Sequence, residues 1–163
     1  MRFAEKLFYL DYDGVLHPEE VYSHPKKGIY LKTPGHTLFE WMPILEALVA
    51  PHPEVRIVLS TSWVRMRSFN FALKQLSPAL QSRVIGATFH RRHMRMDEFV
   101  HLPRGAQIAQ DVFRRHPQSW FAIDDDYVGW PEWCRNNLIQ TDGVRGISDP
   151  FIQYAIKTML ERF

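Results

Sequence analysis

The chain has 163 residues, 45% hydrophobic and 23% charged, a balance that fits a globular protein with a full core and excludes a disordered or fibrous one. The 20 Lys and Arg against 18 Asp and Glu leave a net charge of +2, too small to mark a nucleic-acid binder by itself. The one cysteine, Cys134, excludes an internal disulfide and fits a reducing, cytoplasmic compartment; residues 1–10 are too charged to be expected to act as a signal peptide, and no apolar run reaches membrane length.

In chain order, the apolar, aromatic run Leu7-Phe8-Tyr9-Leu10 predicts a buried strand that ends in Asp11-Tyr12-Asp13-Gly14. Residues 17–33 carry Pro18, Pro25 and Gly28 and read as a loop or small flap, with an extended piece over 28–31. Thr37 and Glu40 have capping-box spacing before a helical stripe of Leu38, Trp41, Met42, Leu45, Leu48 and Val49. Pro43 inside that stripe predicts a kink, or a restart with the proline in the first turn. Residues 55–59 read as a second buried strand, ending in Ser60-Thr61-Ser62-Trp63. Residues 66–76 show helical spacing, and Ser77-Pro78 caps a further short helix. A short strand is expected over 84–88, then an irregular basic stretch over 90–101. Pro103 opens a helix that closes near His116-Pro117, and Trp120-Phe121-Ala122-Ile123 is a strand running into Asp124-Asp125-Asp126. A last strand covers 138–140, and Ser148-Asp149-Pro150 starts the terminal helix.

Strands alternate with helices throughout, which predicts one α/β domain over 1–163, a three-layer Rossmann-like sandwich on a mostly parallel sheet. The polar clusters at 11–13, 60–62 and 124–126 all follow apolar strands, so a parallel sheet gathers them at one edge. Paired acids there are costly to bury unless they are paired or hold a cation. A calcium loop would need a continuing series of ligands after Gly14, and residues 15–22 supply only Glu19 and Glu20.

Asp-x-Asp-Gly-Val after an apolar strand resembles the first motif of the haloacid dehalogenase-like (HAD) superfamily. Together with Ser60-Thr61-Ser62-Trp63 and the late Asp-Asp-Asp, the pattern is most similar to the short HAD domain of Swiss-army-knife RNA repair proteins. The resemblance implies an Mg²⁺-dependent phosphatase with a small or absent cap. It implies that Asp11 is the nucleophile and Asp13 the general acid/base. Asp11, the Asp13 backbone carbonyl, Asp124 and Asp125 are the implied metal ligands, with Asp125 direct and Asp124 through water. Asp126 is expected to turn away. Thr61 is favoured as the phosphate-binding hydroxyl, Ser60 is its runner-up, and Ser62 is the natural helix cap. Arg104 stands where the family usually has Lys. A cation at a helix start opposes the dipole, so its place there asks for a reason.

Trp63 and His17 are further candidates for touching substrate, the latter because it follows the catalytic turn. Arg91, Arg92 and Arg95 form a basic cluster that suits an anionic substrate. Trp130 and Trp133 read as core or lid packing. The resemblance points to a phosphorylated substrate, with an RNA or DNA end as one form. A nucleotide or small-metabolite phosphatase and a non-catalytic phosphate- or nucleic-acid-binding domain are the alternatives. Retention of both Asp11 and Asp13 argues against the last.

Overall fold

The computed structural model describes residues 5–163. Its centre is β1 (Lys6–Leu10), whose Leu7, Phe8, Tyr9 and Leu10 are all fully buried. A strand covered on both faces shows a continuous apolar run rather than alternation, which is what the sequence carries here. β1 pairs in parallel with β4 (Val55–Leu59) and β6 (Ser119–Asp124). β5 (Val84–Ala87) and β7 (Leu138–Gln140) complete a five-stranded parallel sheet of order β5-β4-β1-β6-β7.

Alternating β1 side chains feed two cores. Phe8 and Leu10 pack with α1 (Met42–Val49), α2 (Ser62–Met66), α3 (Phe69–Lys74), α4 (Pro78–Gln81) and the terminal α7 (Pro150–Glu161). Leu7 and Tyr9 face α6 (Arg104–Arg115) through Ile108, with Trp130 and Cys134 beside it. The Tyr9 hydroxyl donates to Asp111 Oδ2 at 2.8 Å, and Arg115 Nε donates to the same oxygen at 2.6 Å. That buried network ties α6 to β1 in one position, and so decides where the first turn of α6 meets the sheet edge.

The flap is a real element. β2 (Val21–His24) and β3 (Gly28–Leu31) form an antiparallel hairpin with Gly28 at φ +71°, a conformation glycine adopts without a Cβ penalty. Pro43 stands in the first turn of α1, so the helix starts at Met42 and not at Thr37. The Thr37–Glu40 pair keeps one half of a capping box, a Thr37 N–H to Glu40 Oε2 bond, within a turn.

Three further expectations need correction. The helix over 66–76 is two helices, because Ser68 accepts from the Phe71 N–H and restarts the chain as an N-cap. Within 90–101, residues Met96–His101 form a helix, α5, with Asp97 and Glu98 in its first turn, where acids suit the dipole. Ser62 is not the cap of α2. Thr61 is, with its hydroxyl accepting from the Trp63 N–H at 3.3 Å. Among the described residues, no helix is long and apolar enough to cross a membrane.

Candidate active site

The register sets the site. Leu10 lies opposite Leu59 on one side and Ile123 on the other, so Asp11, Ser60 and Asp124 leave the sheet at the same level. There a pocket of about 490 Å³ opens, lined by Asp11, Asp13, Ser62, Arg104, Asp125 and Asp126. The flap closes one side of it with Glu19 and Tyr22.

Carboxylate oxygens of Asp11, Asp124 and Asp125 come within 4.8 Å of one another. Burial pushes the Asp11 carboxyl up, against the pull of Arg104, and the charge of Asp13 adds to the rise. Asp124, fully buried, is pushed well above the ordinary range by burial and then by Asp11. Asp125 is pushed up to about 7 by burial first, with Asp11 and Glu19 repelling it further. Clustered buried acids of this kind are short of positive charge.

Arg104 is the one cation built into the cluster among the described residues. Its Nη1 lies 3.2 Å from Asp124 Oδ2 and 3.5 Å from Asp11 Oδ1, and it also donates to the Ser60 carbonyl. Burial opposes its charge, but Asp11 and Asp124 outweigh that and hold the guanidinium above its ordinary value. This is the reason for a cation at a helix start: two carboxylates cost more than the dipole does.

Asp124 has both oxygens engaged, Oδ2 by Arg104 and Oδ1 by the Asp126 N–H at 2.9 Å. Asp125 instead leans over Gly14. Gly14 sits at φ +76°, and a Cβ there would run into the Asp125 carboxylate, so both the turn and the close approach demand glycine. The Thr141 hydroxyl, at the end of β7, donates to the Gly14 carbonyl at 2.7 Å and fixes that turn. Asp126 does not turn away from the site. It lines the pocket, while its Oδ1 accepts from the Val128 N–H.

Asp13 is held from behind. Its Oδ1 accepts from Trp63 Nε1 at 2.9 Å and from His17 Nε2 at 2.8 Å. The Phe39 N–H donates to His17 Nδ1, so the ring hydrogen is on Nε2 and points at Asp13. Phe39 takes φ +59° to make that bond, a strained conformation for a bulky residue. Edge-to-face contacts with Tyr12, His17 and Trp63 hold it there. His17 and Trp63 are thus not on the substrate side: they are 0% and 2% exposed, behind Asp13.

Of the three hydroxyl residues, Ser62 lines the acid pocket. All three line a small adjoining cleft with Arg104, and the Ser60 Oγ is buried with no hydrogen-bond partner. Arg91, Arg92 and Arg95 do not line the acid pocket. Arg95 pairs with Asp97 at 2.9 Å, and the other two lie beyond β5. Trp130 is buried, its Nε1 donating to the Asp126 carbonyl, whereas Trp133 is exposed against Phe113. Glu19 and Tyr22 are the site residues that motif reading passes over. Glu19 and Tyr22 sit on a flap whose fold over the strand ends was the available signal.

A parallel sheet with covered faces, and acids plus an arginine at its carboxyl edge, define an α/β fold of the HAD Rossmann-like type. The chain belongs to the family described as the HAD domain in Swiss Army Knife RNA repair proteins, whose model matches residues 7–152. Membership implies HAD-type phosphoryl-transfer chemistry. No curated protein and no solved structure matches the chain.

Proposed function

We propose that the chain is an Mg²⁺-dependent phosphatase that hydrolyses a phosphate monoester at a nucleic-acid end through a phospho-Asp11 intermediate. The observation that carries this reading is the convergence of Asp11, Asp124 and Asp125 within 4.8 Å, beside an Asp13 fixed by two donors. An all-oxygen set of acids short of positive charge suits a hard divalent cation, which needs few protein ligands. Asp11, Asp124 and Asp125 would hold Mg²⁺, and the ion would supply the charge that lets phosphate approach the acids.

Asp11 attacks phosphorus, forming the acyl-phosphate bond as the ester P–O bond breaks, and Asp13 gives its proton to the leaving oxygen. Asp13 then takes a proton from water, which attacks phosphorus, releases phosphate and restores the Asp11 carboxylate. Both donors occupy Asp13 Oδ1, so Oδ2 is the oxygen that carries the proton. Arg104 neutralises Asp11 between turnovers and meets the transferring charge. Ser62, on the pocket wall, and Thr61, in the adjoining cleft with Arg104, are the hydroxyls offered to phosphate. A nucleic-acid end is favoured by the family's description and by Tyr22, an exposed aromatic residue of the flap that lines the pocket.

The testing experiment is a phosphate-release screen with Mg²⁺ over nucleotides, sugar phosphates and oligonucleotides phosphorylated at either end. Oligonucleotides should give the highest kcat/KM. No hydrolysis of any ester would end the proposal, and a preference for sugar phosphates would end its nucleic-acid part.

EDTA should stop turnover and Mg²⁺ restore it. Asp125→Ala should raise the Mg²⁺ needed for half-maximal rate by about tenfold or more, and Asp126→Ala much less, since Asp126 is outside the set of carboxylates that converge within 4.8 Å. Equal effects would reverse the ligand assignment.

His17→Ala should lower kcat by up to about 10²-fold, because it frees Asp13 from its productive orientation. The loss should be large for alkyl esters, whose leaving oxygen needs a proton, and small for p-nitrophenyl phosphate, whose leaving group does not. A uniform loss would make His17 a purely structural residue.

A further inference from the structure

A second cavity, of about 380 Å³, opens along the edge strand β5 and just past its end. Its floor is apolar: Val64 from α2, Phe69 from α3, Ile85 and Ala87 from β5, and Phe89 just past it. Its rim is basic, with Arg91 and Arg92 both exposed. Arg95 and Arg114 nearby are tied to acids, whereas Arg91 and Arg92 have no carboxylate partner among the described residues. The volume lies within the range of small-ligand sites. Burial holds His90, on the same rim, below the ordinary imidazole range, so it offers a hydrogen bond more than a charge.

α2 contributes to both cavities from different faces. Ser62 at its start lines the acid pocket, and Val64 two residues on lines the cleft. The ends of β1 and β5 are level, with β4 between them, so two strand spacings, about 10 Å, separate Asp11 from the residues that follow β5. A strand with its terminal phosphate at Asp11 therefore reaches the cleft with the next nucleotide or the one after.

We propose that this cleft is a subsite for single-stranded nucleic acid, taking a base one or two nucleotides inward of the phosphate-bearing end, with Arg91 and Arg92 on the connecting phosphates. The apolar floor with the Phe69 ring suits the face of a base, and free guanidinium forks suit phosphate oxygens. The inference rests on the nucleic-acid reading of the acid pocket and adds where the strand runs.

The test uses the full chain with Mg²⁺ and Asp11→Asn, so that substrate persists. Calorimetry compares a six-nucleotide RNA phosphorylated at one end with the matching mononucleotide. The hexamer should bind about tenfold tighter or better, as one stacked base provides. Ile85→Glu, at an exposed edge-strand position, should remove that advantage. So should Arg91→Ala with Arg92→Ala, which should also shallow the log–log salt slope by about 1.4, or 0.7 per phosphate.

A hexamer advantage that survives both variants overturns the subsite. So does a hexaglutamate peptide competing as well as the RNA. A wild-type enzyme that hydrolyses phosphate esters while the hexamer shows no advantage overturns the subsite and leaves the phosphatase reading standing. Cleft-dependent RNA binding without hydrolysis of any ester supports the subsite and sinks the phosphatase reading alone.

Discussion

Asp11→Asn is expected to abolish phosphate release, with a loss of about four orders of magnitude or more in kcat. An amide oxygen is a poor nucleophile, and no other carboxylate takes its place. Asp124 is fully buried against Arg104, and Asp125 projects from the far side of the Gly14 turn. The variant should fold, because Asn is isosteric and its Oδ1 can still accept from the Tyr12 N–H, as Asp11 does at 2.9 Å. It should also melt higher than wild type in EDTA, since it removes one of the two buried acids of a crowded three-carboxylate cluster. With Mg²⁺ that ordering should shrink or invert, because the wild type gains more from the cation. Measured turnover near the wild-type rate would remove Asp11 as nucleophile. A lower melting temperature in EDTA would show that the cluster is not short of positive charge.

Much of this site was legible because strand ends are legible. Apolar runs at 7–10, 55–59 and 120–123 each break at polar residues, and parallel pairing brings those breaks to one level. Arg104 was legible for a different reason. A cation in the first turn of a helix is unfavourable alone, and its partners Asp11 and Asp124 supply the offset. His17 was not legible. Its neighbours Pro18, Glu19 and Glu20 suggest an exposed loop, yet the chain folds back through Leu16 and buries the imidazole beneath Phe39. Only the positive φ of Phe39, invisible in a bulky residue's sequence context, turns its N–H toward that ring. Ser60, Thr61 and Ser62 were ambiguous because consecutive hydroxyls after a strand differ only in orientation. The turn into α2 separates them, with Thr61 as the helix cap and Ser62 on the pocket wall. The 66–76 break failed for a similar reason: apolar spacing continues across Ser68, and the cap that interrupts it is a local hydrogen bond.

Arg104→Met should cost about 3–5 kcal/mol of folding stability in the absence of Mg²⁺, the range for breaking a buried ion pair by removing one partner. Arg104 is the guanidinium between Asp11 and Asp124, and methionine fills much of its volume without its charge. The loss should come from the stranded carboxylates and not from packing, and a second substitution separates the two. Adding Asp124→Asn to Arg104→Met should recover a large part of the stability, because it neutralises the more deeply buried acid. Arg104→Lys should be milder, keeping the charge but losing the reach that lets one guanidinium meet Asp124 and the Ser60 carbonyl together. Activity should not follow stability. The double variant should fold well yet turn over far more slowly than Arg104→Lys, since neither the charge beside Asp11 nor the full acid set survives in it. Denaturant unfolding in EDTA, read beside phosphate release with Mg²⁺, checks both halves. If Arg104→Met is as stable as wild type, or if Asp124→Asn fails to rescue it, the ion pair is not what holds this edge of the sheet together.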